Sequence, residues 1–341
     1  MKKEIVTLKD LAIKLNLAIS TVSRALNDHP EISKSTKDKV NKLAKELNFT
    51  PNIFAKGLRQ RKYNTIGVIV PNISHYFTSI IIKGILEEAE KMNYRVIISE
   101  SNNNYNKQTE MLNAMVQFGV DGILMSISKV TKSIDPILKT LNRVPIVLFD
   151  KVSDKVPCTQ ILINGEEAAF NAVEHLINIK KKRIAIIKET KNSYTSNKRY
   201  DGYLRALKKH NLPIDENLIL STEDISLIQG QKMATTLLGL KNRPDAIFAI
   251  TDNAAIGAIK TLKKSNIKIP EEIAVVGFSN SLSSTIIEPN LTTVEQPGKR
   301  IGKISVQYLI EEIESTDHLI NHKTIEIKTN LIIRDSSFKN Y

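Results

Sequence analysis

Three stretches near the amino terminus, residues 7–15, 19–27 and 33–47, carry apolar side chains at the i, i+3, i+4 spacing of one buried helical face. Thr7 and Ser33 are predicted N-caps, because each precedes such a stretch and offers a side-chain oxygen to the first free backbone amides. The pattern therefore predicts three short helices that share one small core within the first 50 residues.

From residue 66 the pattern changes to short runs of Val, Ile and other apolar residues that alternate with amphipathic segments of helical period. Runs without polar alternation are typical of strands covered on both faces, and intervening helices indicate parallel βαβ units. Four units precede residue 163 and three or more follow it, which predicts an α/β fold with two doubly wound sheets and a cleft between them. The predicted strands are "IGVIV" at 66, "RVIIS" at 95, "GILMS" at 122, "PIVLF" at 145, "RIAII" at 183, "DAIFAI" at 245 and "IAVVGF" at 273.

Charge is concentrated at the amino terminus. Residues 1–63 contain 14 Lys and Arg against 6 Asp and Glu, which is most of the net charge of +13. Clustered cations favour a polyanion partner through counterion release, although a solvated basic face has the same composition. The single cysteine, Cys158, suits a reducing compartment, and the absence of an export signal or long apolar run predicts a cytoplasmic chain with no membrane partner.

The second predicted helix has poor intrinsic helix propensity and an unusual outer face. Val22 and Ala25 would hold it to the core, leaving Ile19, Ser20 and Arg24 outside. Short side chains, hydroxyls and an arginine suit a helix whose backbone approaches base edges in a major groove. The first two helices therefore predict a helix-turn-helix.

The motifs "VTLKDLAIKLNLAISTVSRALN", "ISKSTKDKV" and "LNFTPNIFAKGL" resemble the lactose repressor and galactose repressor family of bacterial transcription regulators. The resemblance continues through "IGVIVPN", "GVDGIL", "KRYDGY", "RPDAIFAITDNAAIGA", "IAVVGF" and "LTTVEQP", which stand in the family's order over almost the whole chain. It implies a DNA-binding headpiece, a hinge helix and two subdomains like those of periplasmic sugar-binding proteins.

The resemblance also implies the DNA contacts. Ile19 and Ser20 match the family's base-reading pair, and Arg24 matches its base-contacting arginine. Leu58 matches the leucine that wedges into the minor groove, with Arg59 beside it, in a marginal helix expected to form when bound. Positions that match phosphate contacts or helix caps are Thr7, Thr21, Ser23, Asn27, Ser33, Thr36 and Asn52. The family usually has a serine where this chain has Ala18, so a helix cap is expected to be missing.

For the cleft, the resemblance implies an effector held through its hydroxyl groups by Asp150, Arg199 and Asp252. The structural alternative is a salt bridge for Arg199 and a helix N-cap for Asp252. Phe77 and Ser126 are weaker candidates for an apolar wall and a hydroxyl contact. Many members have an aspartate where this chain has Ser279, which leaves the ligand open. No cofactor is implied.

The predicted domains are a headpiece at 1–50, a hinge helix and linker at 51–63, a first core subdomain at 64–162 plus 293–324, and a second at 163–292 plus 325–341. The predicted function is a ligand-responsive transcription regulator, a repressor of a carbohydrate-related operon, with a sugar or sugar derivative as effector in the cleft. It is expected to bind a near-palindromic double-stranded operator as a homodimer, with a tetramer left open. The alternatives are a sugar-binding protein without specific DNA binding and a sugar-processing enzyme. No catalytic motif supports the enzyme, and His318 with His322 gives only a weak metal signal.

Overall fold

The computed structural model describes residues 6–50, 62–190, 193–315 and 322–338. The chain divides into two compact units, residues 1–63 and 64–341. The first unit contains α1 (Leu8–Leu15), α2 (Ile19–Leu26) and α3 (Lys34–Glu46). These are the three helices that the apolar spacing predicts.

A small apolar core joins the three helices. Leu11, Val22, Ala25 and Val40 are almost completely buried and contact one another through this core. The two predicted N-caps are present: Thr7 and Asp10 form a reciprocal capping box at α1, and the Ser33 hydroxyl accepts from the third backbone amide of α3. Capping fixes where each helix begins, so that short helices of modest propensity meet at a defined angle.

The second unit contains two six-stranded sheets. The first sheet has the order β11-β5-β4-β3-β1-β2 and is entirely parallel. Its strands are β1 (Thr65–Val70), β2 (Arg95–Glu100), β3 (Gly122–Met125), β4 (Ile146–Phe149), β5 (Gln160–Ile163) and β11 (Thr324–Ile327). Its helices are α4 (Tyr76–Lys91), α5 (Tyr105–Gln117), α6 (Asp135–Leu141) and α11 (Gly298–Glu314).

The second sheet has the order β12-β10-β9-β8-β6-β7 and is parallel except for β12. Its strands are β6 (Ile184–Glu189), β7 (Ile219–Thr222), β8 (Ala246–Ala249), β9 (Ala274–Ser279), β10 (Thr292–Glu295) and β12 (Asn330–Ile332). Its helices are α7 (Gly165–Asn178), α8 (Tyr194–Lys209), α9 (Leu227–Leu238) and α10 (Asp252–Lys264). The α/β fold class with two doubly wound subdomains and a small helical region is confirmed.

The chain crosses between the sheets three times, and two crossings differ from the predicted boundaries. The sequence predicted that the chain returns to the first subdomain at residue 293 and leaves it again at residue 324. In the structure β10 belongs to the second sheet and β11 to the first, so the crossings lie at about residues 296 and 328. Both strands are short and partly polar, and their sheet membership depends on pairing with distant strands rather than on a local pattern.

Candidate functional sites

The outer face of α2 is presented as the sequence predicts. Ile19 is 50% exposed and Ser20 and Arg24 are exposed, whereas Val22 and Ala25 on the opposite side are buried. Thr21 and Ser23 are half-buried at the edge of this face. Half of Ile19 stays exposed beside a serine and an arginine, so this face of α2 is open to a ligand.

Arg24 is held by a neighbour that the sequence analysis did not identify. Its guanidinium donates to the Glu31 carboxylate at 3.2 Å, and both side chains are more than half exposed. An exposed pair of this kind contributes little to stability. It does place a negative charge next to the arginine predicted to contact bases.

Four of the predicted phosphate-contacting side chains have partners within the headpiece. Thr7 donates to Asp10 at 2.7 Å, the hydroxyls of Ser33 and Thr36 are 2.9 Å apart, and Asn27 donates to the carbonyl of Ser23. Each of the four takes part in the start or end of a helix. Helix N-termini also attract phosphates, so capping and DNA contact are compatible for Thr7, Ser33 and Thr36.

Ala18 stands at the N-cap of α2 with backbone angles of −67° and 144° and no side-chain hydrogen bond. Asn16, the nearest polar alternative, instead ends α1 in the left-handed conformation. The amides at the start of α2 therefore lack a side-chain cap.

Four positions singled out in the sequence lie outside the described residues: Asn52, Leu58, Arg59 and His318. The predicted hinge helix and the roles assigned to these positions stay predictions.

A cleft of about 510 Å³ lies between the two subdomains of the second unit. Five of the six predicted effector-binding residues line it: Phe77, Asp150, Arg199, Asp252 and Ser279. Most of them stand where a strand ends or a helix begins, which is where doubly wound sheets place their loops. Ser126 is not among the lining residues; it is buried just after β3, and its hydroxyl has no hydrogen-bond partner in the described part of the chain.

Arg199 is fixed in the cleft wall by three contacts. Its guanidinium donates to the Ile250 carbonyl at 2.6 Å and to the Gln296 side-chain oxygen at 3.3 Å, and it lies 3.7 Å from the centroid of the Phe278 ring. Burial lowers its pKa to about 10, which leaves it charged at neutral pH. No described carboxylate forms a salt bridge with Arg199, and its buried Nε has no hydrogen-bond partner among the described residues. A positioned cation with a free donor suits a ligand oxygen.

Asp150 follows β4 in the left-handed conformation, with φ of 60°. Its backbone amide donates to the Ile161 carbonyl at 3.0 Å, but its carboxylate accepts no hydrogen bond from a described side chain. Burial raises the pKa of Asp150, and the positive charges of Lys151 and Arg199 only partly offset this effect. Ionisation of the Asp150 carboxyl is therefore less favourable here than in water, as is typical of a buried carboxylate without a hydrogen-bond donor.

Asp252 differs from Asp150 because both of its carboxylate oxygens are already occupied. One accepts from the Thr293 hydroxyl at 2.5 Å and the other from the Ser281 backbone amide at 2.6 Å. The N-cap of α10 is Thr251, so the helix-cap alternative for Asp252 is not what the structure shows. Asp252 instead ties β10 and the loop after β9 to the start of α10.

Ser279 is the last residue of β9 and has φ of 126°, a region that L residues rarely adopt. Its hydroxyl accepts from the Gln296 amide at 2.9 Å. Gln296 thus links Arg199 to Ser279 across the floor of the cleft. Gln296 lies in the quoted motif "LTTVEQP", but no role was assigned to it, because its contacts are made with residues of other elements.

Two further cleft features were not predicted. Lys129, after β3, donates to Glu189 at the end of β6 at 3.1 Å and to the Glu223 carbonyl at 2.7 Å. His75, before α4, faces Asp150, and partial desolvation holds its pKa below the ordinary value. Residue 129 lies 60 positions from residue 189, so no local spacing could have indicated their contact.

Within the described ranges, no group of three or more His, Cys, Asp or Glu side chains is arranged to hold a metal ion. The same part of the chain contains no helix with the length and apolarity needed to cross a membrane.

Comparison with known proteins gives two family matches. Residues 7–52 match the model described as bacterial regulatory proteins of the lacI family, and residues 63–337 match that of periplasmic binding proteins and the sugar binding domain of the LacI family. The chain is 36% identical to the NTD biosynthesis operon regulator NtdR of Bacillus subtilis over 97% of its own length and 99% of that protein. It is 34% identical to catabolite control protein A of Priestia megaterium over 89% and 91% of the two chains.

Among solved structures, the lac repressor dimer bound to operator and the anti-inducer ONPF superimposes with a TM-score of 0.88. The match covers 98% of this chain and all of that one at 23% identity. At that identity the likeness concerns the fold.

Proposed function

The chain belongs to the lacI family of bacterial regulatory proteins, whose members regulate transcription and are not enzymes, and we propose that it is a repressor controlled by a small polar effector bound in the cleft. The headpiece would read a near-palindromic operator through Ile19, Ser20 and Arg24. The observation that carries the proposal is the free carboxylate of Asp150 opposite the anchored guanidinium of Arg199.

These two groups favour a ligand with several hydroxyl groups. A carboxylate accepts hydrogen bonds and a guanidinium donates them, so together they select a molecule that does both, as a sugar or sugar derivative does. The aromatic contribution to the cleft comes from His75, Tyr76 and Phe77, and the chain has no tryptophan. The carboxylate of Asp252, being occupied, would shape the wall rather than contact the ligand.

A dimer is part of the proposal. Leu282 and Ile286 are 67% and 72% exposed beside a short 3-10 helix that contacts α10. Large apolar side chains exposed together favour a protein contact, and a symmetric pair of headpieces would match a palindromic operator. Replacement of Ile286 by Asp should then shift the sedimentation of the full chain from dimer to monomer.

The test begins with selection of an operator from a random duplex library by the full chain. Fluorescence anisotropy should then show affinity that falls steeply between low and physiological salt, because bound lysines and arginines release counterions from DNA. A flat salt response would contradict the assigned interface. The Leu58→Ala variant should lose more affinity for the selected operator than for duplex DNA of unrelated sequence.

The effector is tested separately by thermal unfolding of the same chain with a panel of sugars and sugar derivatives, since a ligand of the folded state raises its stability. A compound that raises the melting temperature should also change operator affinity by about 5- to 150-fold, the usual range of coupling between two sites. A ligand that binds without any effect on operator affinity would make the chain a sugar-binding protein alone.

A further inference from the structure

A second cavity of about 440 Å³ opens beside the cleft, behind the loops that follow β3 and β4. Four lysines line it, Lys129, Lys132, Lys151 and Lys155, and none of its lining residues has a carboxylate. We call it the lysine pocket. Four cations around one cavity repel one another, and an anion in that cavity would relieve the repulsion.

Two of these cations, Lys132 and Lys155, have no ion-pair partner in the described part of the chain. Lys129 is paired with Glu189, and Lys151 has no salt bridge there but lies within electrostatic reach of Asp150 and Glu189. The remainder of the wall is mostly polar, with several hydroxyl groups from the same two loops. Cations and hydroxyl donors that line one cavity with no carboxylate in its wall are an arrangement that suits phosphate.

Both subdomains contribute to the lysine pocket. The lysines belong to the first subdomain, whereas Tyr194 is the first residue of α8 in the second. Tyr194 also packs against the core of the first subdomain. Burial, with the nearby charges of Asp154 and Glu326, raises the pKa of Tyr194, so its hydroxyl stays protonated as a donor.

The lysine pocket adjoins the cleft through two shared residues. Lys129 and Lys151 line both cavities and form the partition between them. The five predicted effector-binding residues that line the cleft, Asp150 and Arg199 among them, do not line the lysine pocket. The two cavities are therefore neighbours with separate chemistry.

We propose that the lysine pocket is a second ligand site that binds a phosphate group, held by Lys132, Lys151 and Lys155 from one subdomain and by the Tyr194 hydroxyl from the other. A phosphate there connects the two subdomains at the side of the cleft and adds to the contact that Lys129 makes with Glu189. The site does not depend on a sugar occupying the cleft.

The chain contains no tryptophan, so Tyr194→Trp places a single indole reporter in the lysine pocket, with the indole N–H as the donor in place of the Tyr194 hydroxyl. Sodium phosphate titrated into the full-length reporter chain, against sodium chloride at equal ionic strength, should give a saturable emission change. Adding Lys132→Gln and Lys155→Gln should raise the half-saturating phosphate concentration at least tenfold. The matched control, Lys83→Gln with Lys107→Gln, removes two exposed charges from the same subdomain and should leave the half-saturating phosphate concentration unchanged.

Thermal unfolding of the chain with its natural Tyr194 gives a second measurement that does not depend on the reporter. Phosphate should raise its melting temperature, and the Lys132 and Lys155 substitutions should remove most of that rise while the control pair keeps it. The proposal is overturned if phosphate has no saturable effect in either measurement, if the pocket pair responds like the unsubstituted chain, or if the control pair loses the response equally.

The same assay separates the two sources of the phosphate group. Glycerol 3-phosphate serves as the ester probe and inorganic phosphate as the free ion, each titrated into the chain with and without Asp150→Asn. Weaker binding of the ester alone on loss of Asp150 assigns the pocket to a phosphorylated ligand that reaches from the cleft. Equal binding of both probes in both chains assigns it to the free anion.

Discussion

Lys129 crosses the cleft and places its ammonium nitrogen 3.1 Å from a carboxylate oxygen of Glu189, in the other subdomain. The two side chains are 23% and 19% exposed, so solvent screens this pair less than it screens a surface pair. The same nitrogen lies 2.7 Å from the Glu223 carbonyl. One side chain thus joins the loop after β3 to the last residue of β6 and to the residue that follows β7.

Lys129→Met keeps most of the length of this side chain but removes its charge and its donors. We expect a loss of about 1 to 3 kcal/mol in the free energy of unfolding, because Glu189 is left partly buried without its cation. Urea denaturation measures the loss. Lys299→Met breaks an exposed pair whose partner, Glu87, keeps Lys303, and should change the midpoint far less; equal effects would show that the cross-cleft contact contributes nothing special.

Asp150→Asn should raise stability at neutral pH while weakening effector binding. The pKa of Asp150 is higher in the folded state than in the unfolded chain. At any pH above the pKa of the unfolded chain, ionisation of Asp150 therefore destabilises the folded state. Asparagine removes that charge and tolerates the left-handed backbone. The gain in melting temperature should therefore shrink as the pH falls and the natural aspartate becomes protonated.

The same variant should bind the effector about 10- to 100-fold more weakly, as expected for the loss of a hydrogen bond to a charged group. Thermal unfolding across pH and calorimetric titration check the two expectations. A variant that is less stable at pH 7 would mean that an unrecognised donor uses this carboxylate in the free protein.

Glu31→Gln should increase operator affinity. The Glu31 carboxylate holds Arg24 at 3.2 Å and adds a negative charge close to the predicted DNA face. Removing it frees the guanidinium and reduces repulsion from phosphates, with an expected gain of about two- to tenfold at low salt. Anisotropy titration measures the gain, and Glu46→Gln, at the far end of α3, is the charge-matched control.

Ala18→Ser should stabilise the headpiece by about 0.5 to 2 kcal/mol, the usual contribution of an N-cap side chain. The backbone at Ala18 already has extended cap geometry, so a serine oxygen can reach the first amides of α2 without rearrangement. Circular dichroism during thermal unfolding reports the change. Ser33→Ala, which removes an existing cap from α3, should lower stability by a similar amount; no gain at Ala18 would contradict the cap interpretation.

The seven strongly apolar runs are all strands in the structure, because a strand covered on both faces has to be apolar at nearly every position; β2, at the edge of its sheet, is only partly covered. The short strands β5, β7, β10, β11 and β12 were not predicted. In β10 the sequence is TTVE, yet Thr292 and Thr293 are completely buried, because neighbouring strands and side chains satisfy their hydroxyls. Such burial depends on residues far away in the sequence.

In the candidate cleft, some residues were likewise indicated by the sequence, whereas the roles of others depend on partners far away in the sequence. Arg199 and Asp150 were identified from their motifs, and both line the cavity. Gln296, Lys129 and Glu189 were not, since each acts through a partner in another element. The occupied carboxylate of Asp252 is likewise a tertiary feature.

The sequence by itself determined the helical headpiece, its capping residues, the basic charge at the amino terminus and the two-sheet α/β class. These features depend on periodicity, composition and short-range hydrogen bonds, all of which act between near neighbours. Only the tertiary structure decided where the chain crosses between sheets, which carboxylate in the cleft is free, and how Lys129 and the lysine pocket lie at its side. Those properties arise from loops that meet at the carboxyl ends of strands distant in sequence, and no local pattern records which loops will meet.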